Sequence, residues 1–236
     1  VPPGYTGQTP VPLVLDWHGI LMNSGWERNL SGWAGVADAE GFIVAYPEGI
    51  DTAFNLGICC TSSRDVDDLA LGRAIVEQIR QQACIDPKRI HSVGYSLGGG
   101  MSMYMACNAA DLFASIATSA FDLIREEDFP CNPSRPIAIM DFRSTGDPIC
   151  PYNGGATYPP NGLPVMVYFL GAEGTFAKWA ELNGCTGSPV AGAAGCPTYT
   201  QCAEGTEVIL CTKQGGGHDW MDAAAAWEFL KRHPMP

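Results

Sequence analysis

Basic side chains are in short supply. The 236-residue chain carries 13 Lys and Arg against 25 Asp and Glu, a formal net charge of −12, and its only lysines are Lys88, Lys178, Lys213 and Lys231. A field of that sign repels polyphosphates and anionic lipid surfaces, so neither nucleic acid nor a membrane is an expected partner and a neutral substrate suits it better. Long apolar runs are lacking as well, since no stretch approaches the roughly 18 residues that a bilayer-spanning helix needs. The opening VPPGYTGQTP has no charged segment leading into an apolar one, so a mature or trimmed soluble chain is expected.

Ligand-rich spacings are also missing. There is no C-x-x-C, no H-x-x-x-H and no D-x-D-x-D-G, so Asp65, Asp67 and Asp68 read as acids complementing a helix N-terminus rather than as calcium ligands. The glycines do not spell G-x-G-x-x-G, and no Lys follows them as in a phosphate-binding loop. No metal and no cofactor is expected.

Hydrophobic residues, in contrast, make up 46% of the chain and charged ones 16%, within the range of one globular domain over 1–236, expected to be a monomer. Ten cysteines, an even number, read as disulfides decorating a core in an oxidising compartment, secreted or periplasmic. Cys59 and Cys60, being adjacent, are expected to reach two different partners because a bridge between neighbours strains the peptide.

Short apolar strands are predicted at 11–17, 41–49, 89–94, 113–120, 135–142, 164–170 and 207–212. Helices are predicted at 64–83, 99–108 and near 174–183 and 222–232, and 188–202 reads as a loop without periodicity. Strands alternating with helices imply an α/β fold, a mostly parallel sheet covered on both faces. The stretch from Ala120 to Arg135 is too short for a large lid, so the cleft should be open, shaped by loops 20–33, 54–64 and 150–163.

Residues 89–108 run strand, G-Y-S-L-G turn, helix. That arrangement lifts a serine above the sheet edge with a helix N-terminus facing the developing negative charge, which nominates Ser96 as a nucleophile. Serine needs a histidine to take its proton and an acid to orient that histidine. Of the four histidines, His233 is in the tail, His91 is inside a strand and His18 forms the turn after the first strand. His218, in GGGHDW past the last strand, is the candidate base. Asp147, in the loop after the strand that contains Asp141, is the leading acid, because strand-end loops carry the chemistry in open α/β sheets. Asp219 is too close in sequence to align with His218, and Asp122 lies before the expected strand. The order Ser, Asp, His is that of α/β-hydrolases. Oxyanion donors are expected from the Leu97 N–H and from Gly19 and Ile20 after the first strand. Trp17, Tyr95 and Trp220, each beside one catalytic element, are the candidate substrate-binding aromatics, Trp17 foremost.

The blocks PLVLDWHG, ADAEGFIVAYPEG, CCTSSRDVDDLALGRAIV, CIDPKRIHSVGYSLGGGMSMYMAC, RPIAIMDFRSTGDPICPYNGG and GGGHDW resemble the polyhydroxybutyrate depolymerase and feruloyl esterase group of secreted α/β-hydrolases, over residues 11–220. The resemblance implies a serine carboxylic-ester hydrolase forming an acyl-enzyme, with Ser96, Asp147 and His218 as its triad. Its substrates would be hydroxyalkanoate oligomers or aryl esters of plant cell-wall sugars. No polymer-binding domain follows, which points away from insoluble polyester. An esterase-like protein that binds carbohydrate without cleaving it is the alternative, and a metal-dependent hydrolase would need clustered ligands that the sequence does not show.

Overall fold

Val11–Trp17 (β1) alternates its side chains between two cores. Leu13, Leu15 and Trp17 enter one, and Val14 enters the other. In a computed structural model, which describes residues 1–57 and 59–236, β1 is followed by α1 (Ser24–Leu30), α2 (Trp33–Glu40), β2 (Ile43–Ala45), α3 (Asp68–Gln82), β3 (Ile85–Tyr95), α4 (Leu97–Asn108), β4 (Ser115–Ser119) and β5 (Ala138–Ser144). Then come β6 (Gly155–Thr157), β7 (Val167–Phe169), α5 (Ala172–Leu182), β8 (Val190–Ala191), β9 (Pro197–Tyr199), β10 (Val208–Lys213) and α6 (Ala223–Leu230). Eight strands form one sheet in the order β2-β1-β3-β4-β5-β10-β9-β8, parallel from β2 through β10 and antiparallel at β9 and β8.

Both faces are covered, as continuous apolar strands require. On one side Ile90, Ile116, Ile139 and Leu210 pack with Met101, Met105 and Trp179 from α4 and α5. On the other, Val93, Ala117, Met140 and Ile209 meet Trp33 of α2 and Trp227 and Phe229 of α6. Each large side chain buried there contributes about 1.5–3 kcal/mol of transfer free energy.

The parallel strands were expected from the sequence, with two exceptions. The apolar run 164–170 does not join the main sheet: β7 pairs with β6 in a separate two-stranded ribbon. The segment 188–202 holds the two short edge strands β8 and β9, tied down by the disulfides Cys185–Cys202 and Cys196–Cys211. Cys107–Cys131 is a third bridge, and Cys84 and Cys150 are free thiols. The expectation for Cys59 and Cys60 is overturned, since the two are bridged to each other. They lie in an irregular turn closed by the Leu56 N–H on the Cys59 carbonyl (2.9 Å), so both side chains face the same core instead of alternating as they would in a strand. Asp67 caps α3 by accepting from the Ala70 N–H, and Asp68 accepts from the Asn55 N–H.

Candidate active site

The turns after β1, β3, β5 and β10 all open at the carboxyl ends of parallel strands, which brings them to one edge of the sheet. Ser96, between β3 and α4, has φ 54° and ψ −124°, a conformation that costs a residue with a side chain about 1–3 kcal/mol. It is held by its own N–H on the Ser119 carbonyl (2.9 Å) and by its carbonyl accepting from Gly100 N–H (3.0 Å). Two glycines make the turn possible. A Cβ at Gly94 would collide with the Gly98 carbonyl, and one at Gly98 with the Trp17 carbonyl, so α4 can abut β1 only without those side chains.

His218 bridges Ser96 and Asp147. Its Nε2 is 2.7 Å from Ser96 Oγ and its Nδ1 is 2.8 Å from Asp147 Oδ2. A carboxylate can only accept, so Nδ1 carries the ring hydrogen and Nε2 faces the serine hydroxyl as acceptor. The other oxygen of Asp147 accepts from the Ile149 and Cys150 N–H groups (2.8 and 3.0 Å). Burial raises the Asp147 pKa, but the His218 contact and these amides outweigh it and hold the group below the usual carboxylate range.

The competing acids point elsewhere. Asp141 accepts from Thr118 Oγ1 (2.8 Å) within the sheet, where burial pushes its pKa to about 7. Asp122 forms a buried ion pair with Arg143. Asp219 accepts from Gly217 N–H, Lys213 Nζ and Ser144 Oγ, which draw its pKa down to about 2 and fix the loop that presents His218.

The turn after β1 is locked by His18. Its buried ring donates from Nδ1 to the Gly19 carbonyl (2.8 Å) and accepts at Nε2 from the Gly49 N–H (3.0 Å), a use of both nitrogens that requires the neutral form, and burial lowers its pKa accordingly. A Cβ on Gly19 would stand 3.3 Å from the Ser96 Cβ, so the turn passes directly beside the serine. Ile20 and Leu97 line the cleft at Ser96, and their N–H groups meet no hydrogen-bond partner among the described residues. Gly19 itself does not line it.

The cleft is half open to solvent, and its wall is apolar: Phe121, Ile149, Val167 and Phe169, flanked by Tyr158 to Pro160 between β6 and β7. None of the three expected substrate-binding aromatics lines it. Trp17 is fully buried, with its Nε1 donating to Ser92 Oγ (2.9 Å) and its ring edge-on to Phe54, because it shares strand parity with Leu13 and Leu15. Tyr95 and Trp220 stack on each other (centroids 3.8 Å apart) behind His218 rather than in the cleft. Phe121, Tyr158 and Phe169 were missed. The signal for Tyr158 was available, since it falls in loop 150–163. In loop 54–64, Cys60 reaches the cleft, while residue 58 lies outside the described residues. Among the described residues no His, Cys, Asp and Glu group could hold a metal ion, and no helix is long and apolar enough to cross a membrane.

No family model matches the chain. Solved structures share its fold: an acetyl xylan esterase from Aspergillus awamori (TM-score 0.70, 14% identity, covering 98% of this chain and 92% of that one) and a ferulic acid esterase from Anaeromyces mucronatus (TM-score 0.58, 17% identity, 99% and 82%). The fold is therefore that of the α/β-hydrolases. Its sequence relatives include feruloyl esterases. Feruloyl esterase B of Piromyces equi is 41% identical over 244 residues, 100% of this chain and 44% of that protein. Feruloyl esterase C of Emericella nidulans is 28% identical over 249 residues, 98% of this chain and 81% of that protein. The chain thus spans less than half the length of the first of these relatives.

Proposed function

We propose that residues 1–236 form one catalytic domain, a serine carboxylic-ester hydrolase that works through an acyl-enzyme. The observation carrying this reading is the unbroken hydrogen-bonded line from Ser96 Oγ through His218 to Asp147 Oδ2. His218 Nε2 takes the Ser96 proton as Oγ attacks the ester carbonyl, and Asp147 stabilises the imidazolium that forms. The N–H groups of Leu97 and Ile20 receive the oxyanion. His218 then gives its proton to the departing alcohol, and the same ring activates water to release the acid.

The acyl group occupies the apolar cleft, whose aromatic and aliphatic wall suits a flat aryl acid, and the relatives' names point to the same class, feruloyl-type esters of cell-wall sugars. Hydroxyalkanoate oligomers, which rest on motif resemblance alone, serve as the contrasting substrate. Three of the bridges tie segments 15 to 24 residues apart, in keeping with secretion into an oxidising medium, where the protein acts as a monomer.

The test is hydrolysis of methyl ferulate together with labelling by a fluorophosphonate. The wild type is expected to turn over and to label, and Ser96→Ala to do neither while keeping its melting temperature. Asp147→Asn should lower kcat by about 10⁴-fold, whereas Asp141→Asn acts mainly on stability. A wild type that fails to label would favour the non-catalytic carbohydrate-binding alternative.

A further inference from the structure

Asp16 and Glu27 are among the buried carboxyl groups that the chemistry above leaves unused. Asp16, on β1, is 1% exposed and Glu27, on α1, is 0% exposed. Each lies within electrostatic reach of the other, and neither has an ion-pair partner among the described residues. Asp16 Oδ2 accepts from Ser31 Oγ (2.7 Å), and Glu27 Oε1 accepts from Trp220 Nε1 (3.1 Å). Tyr46 lies within electrostatic reach of Asp16, Glu27 and Arg28.

Two buried carboxyls that feel each other's charge without a cation resist ionising together, because their repulsion adds to the desolvation of each. The pair therefore retains one proton. Burial and the neighbouring Glu27 push the Asp16 pKa well up, so Asp16 keeps the proton, while burial raises Glu27 to about 7. Glu27 is left as the acceptor for the indole, and a charged acceptor makes a stronger bond than a neutral one.

The indole leads back to the reaction. Trp220 stacks on Tyr95 with the ring planes 17° apart, and Tyr95 Oη donates to the His218 carbonyl (2.9 Å). Tyr95 also lies against the His218 ring, centroid to centroid 5.1 Å. Met22 and Ala120 close this small cluster. The line from α1 thus ends on the backbone of the residue whose ring must stay within hydrogen-bond reach of both Ser96 and Asp147.

We propose that Glu27, paired with Asp16, is a positioning residue for ester hydrolysis: through Trp220 and Tyr95 it fixes the backbone of His218. This rests on His218 being the base. A small misplacement of a general base costs rate more than binding, so the effect belongs in kcat.

The test uses methyl ferulate kinetics of Trp220→Phe, Glu27→Ala and their double variant, with His218→Ala as the control. Each single change is expected to lower kcat about tenfold with KM within about twofold, and the double change to be no worse than the worse single one, since both cut one line. Glu27→Gln, which still offers an oxygen to the indole, should recover most of the loss. Independently of activity, the Trp220 indole N–H resonance, identified by its disappearance in Trp220→Phe, should shift between about pH 5.5 and 8.5 in the wild type and not in Glu27→Gln. Unchanged kcat in folded Trp220→Phe overturns the proposal, as does multiplication of the two losses in the double variant. If Glu27→Ala does not fold, Trp220→Phe kinetics and the resonance decide it. An active His218→Ala would instead overturn the assignment of the base, leaving the resonance shift to report on the Glu27 link alone.

Discussion

Trp17 and Ser96 sit at the carboxyl ends of neighbouring strands, yet one faces the core and the other the cleft. Trp17 is still within β1, paired in register with Gly94, and its side chain obeys the two-residue period that buries Leu13 and Leu15. Ser96 has left β3, and its positive φ swings the side chain out of that period. Trp17→Ala is therefore expected to lower unfolding free energy by about 3–5 kcal/mol in urea titration, the usual range for emptying a buried tryptophan site. KM for methyl ferulate and for p-nitrophenyl acetate should move together in that variant. A selective rise in KM for the aryl ester, without loss of stability, would return Trp17 to the cleft.

Arg143, at the end of β5, joins the loops that follow two strands. It pairs with Asp122 after β4, and its guanidinium donates to the Phe121 carbonyl (3.1 Å) and the Cys150 carbonyl (2.6 Å), all without solvent exposure of its side chain. Arg143→Met leaves the Asp122 charge and two carbonyls unpaired, so a loss of about 3–5 kcal/mol is expected in chemical denaturation, partly recovered by adding Asp122→Asn. Equal stability of the single and double variants would show that the ion pair is not what binds these loops. The same elements mark the limit of what the sequence discloses. Strands β1, β3, β4, β5 and β10 were legible because each is an apolar run bounded by turn residues, and Ser96, Asp147 and His218 were legible because each follows one of them. Helices α1 and α2 were not, since seven and eight residues separated by Ser31 and Gly32 give too few turns for a helical period to emerge. The cleft wall was illegible for another reason: Ile20, Phe121, Ile149, Tyr158 and Phe169 come from separate segments, and only packing brings them together.

For the molecule as a whole, buried carboxyls set how stability varies with pH. Burial raises the folded-state pKa of Glu27 to about 7 and of Asp141 to about 7, above the ordinary carboxyl range. A group whose folded value is raised contributes stability that is fully present below its unfolded value, near about 4, and is lost as pH rises through the folded value. Asp147, held low chiefly by His218, acts with the opposite sign: its contribution is present above about 4 and lost as pH falls below that. The net charge of −12 works in the same direction as the raised pair, because each further ionisation adds to the repulsion within an acidic molecule. Stability should therefore peak on the acid side of neutrality. Burial lowers the pKa of His18, His91 and His233, whose contribution still grows with pH up to their unfolded value of about 6.5, so calorimetry is expected to show the melting temperature falling between about pH 6.5 and pH 8. In Glu27→Gln and Asp141→Asn, where the amide keeps an acceptor oxygen for Trp220 or Thr118 but cannot ionise, that fall should be shallower, and shallower still when the two are combined. A melting temperature that holds level or rises over the same interval would mean that these two side chains ionise in the fold at no cost, and the burial that raises them would not be what limits stability at neutral pH.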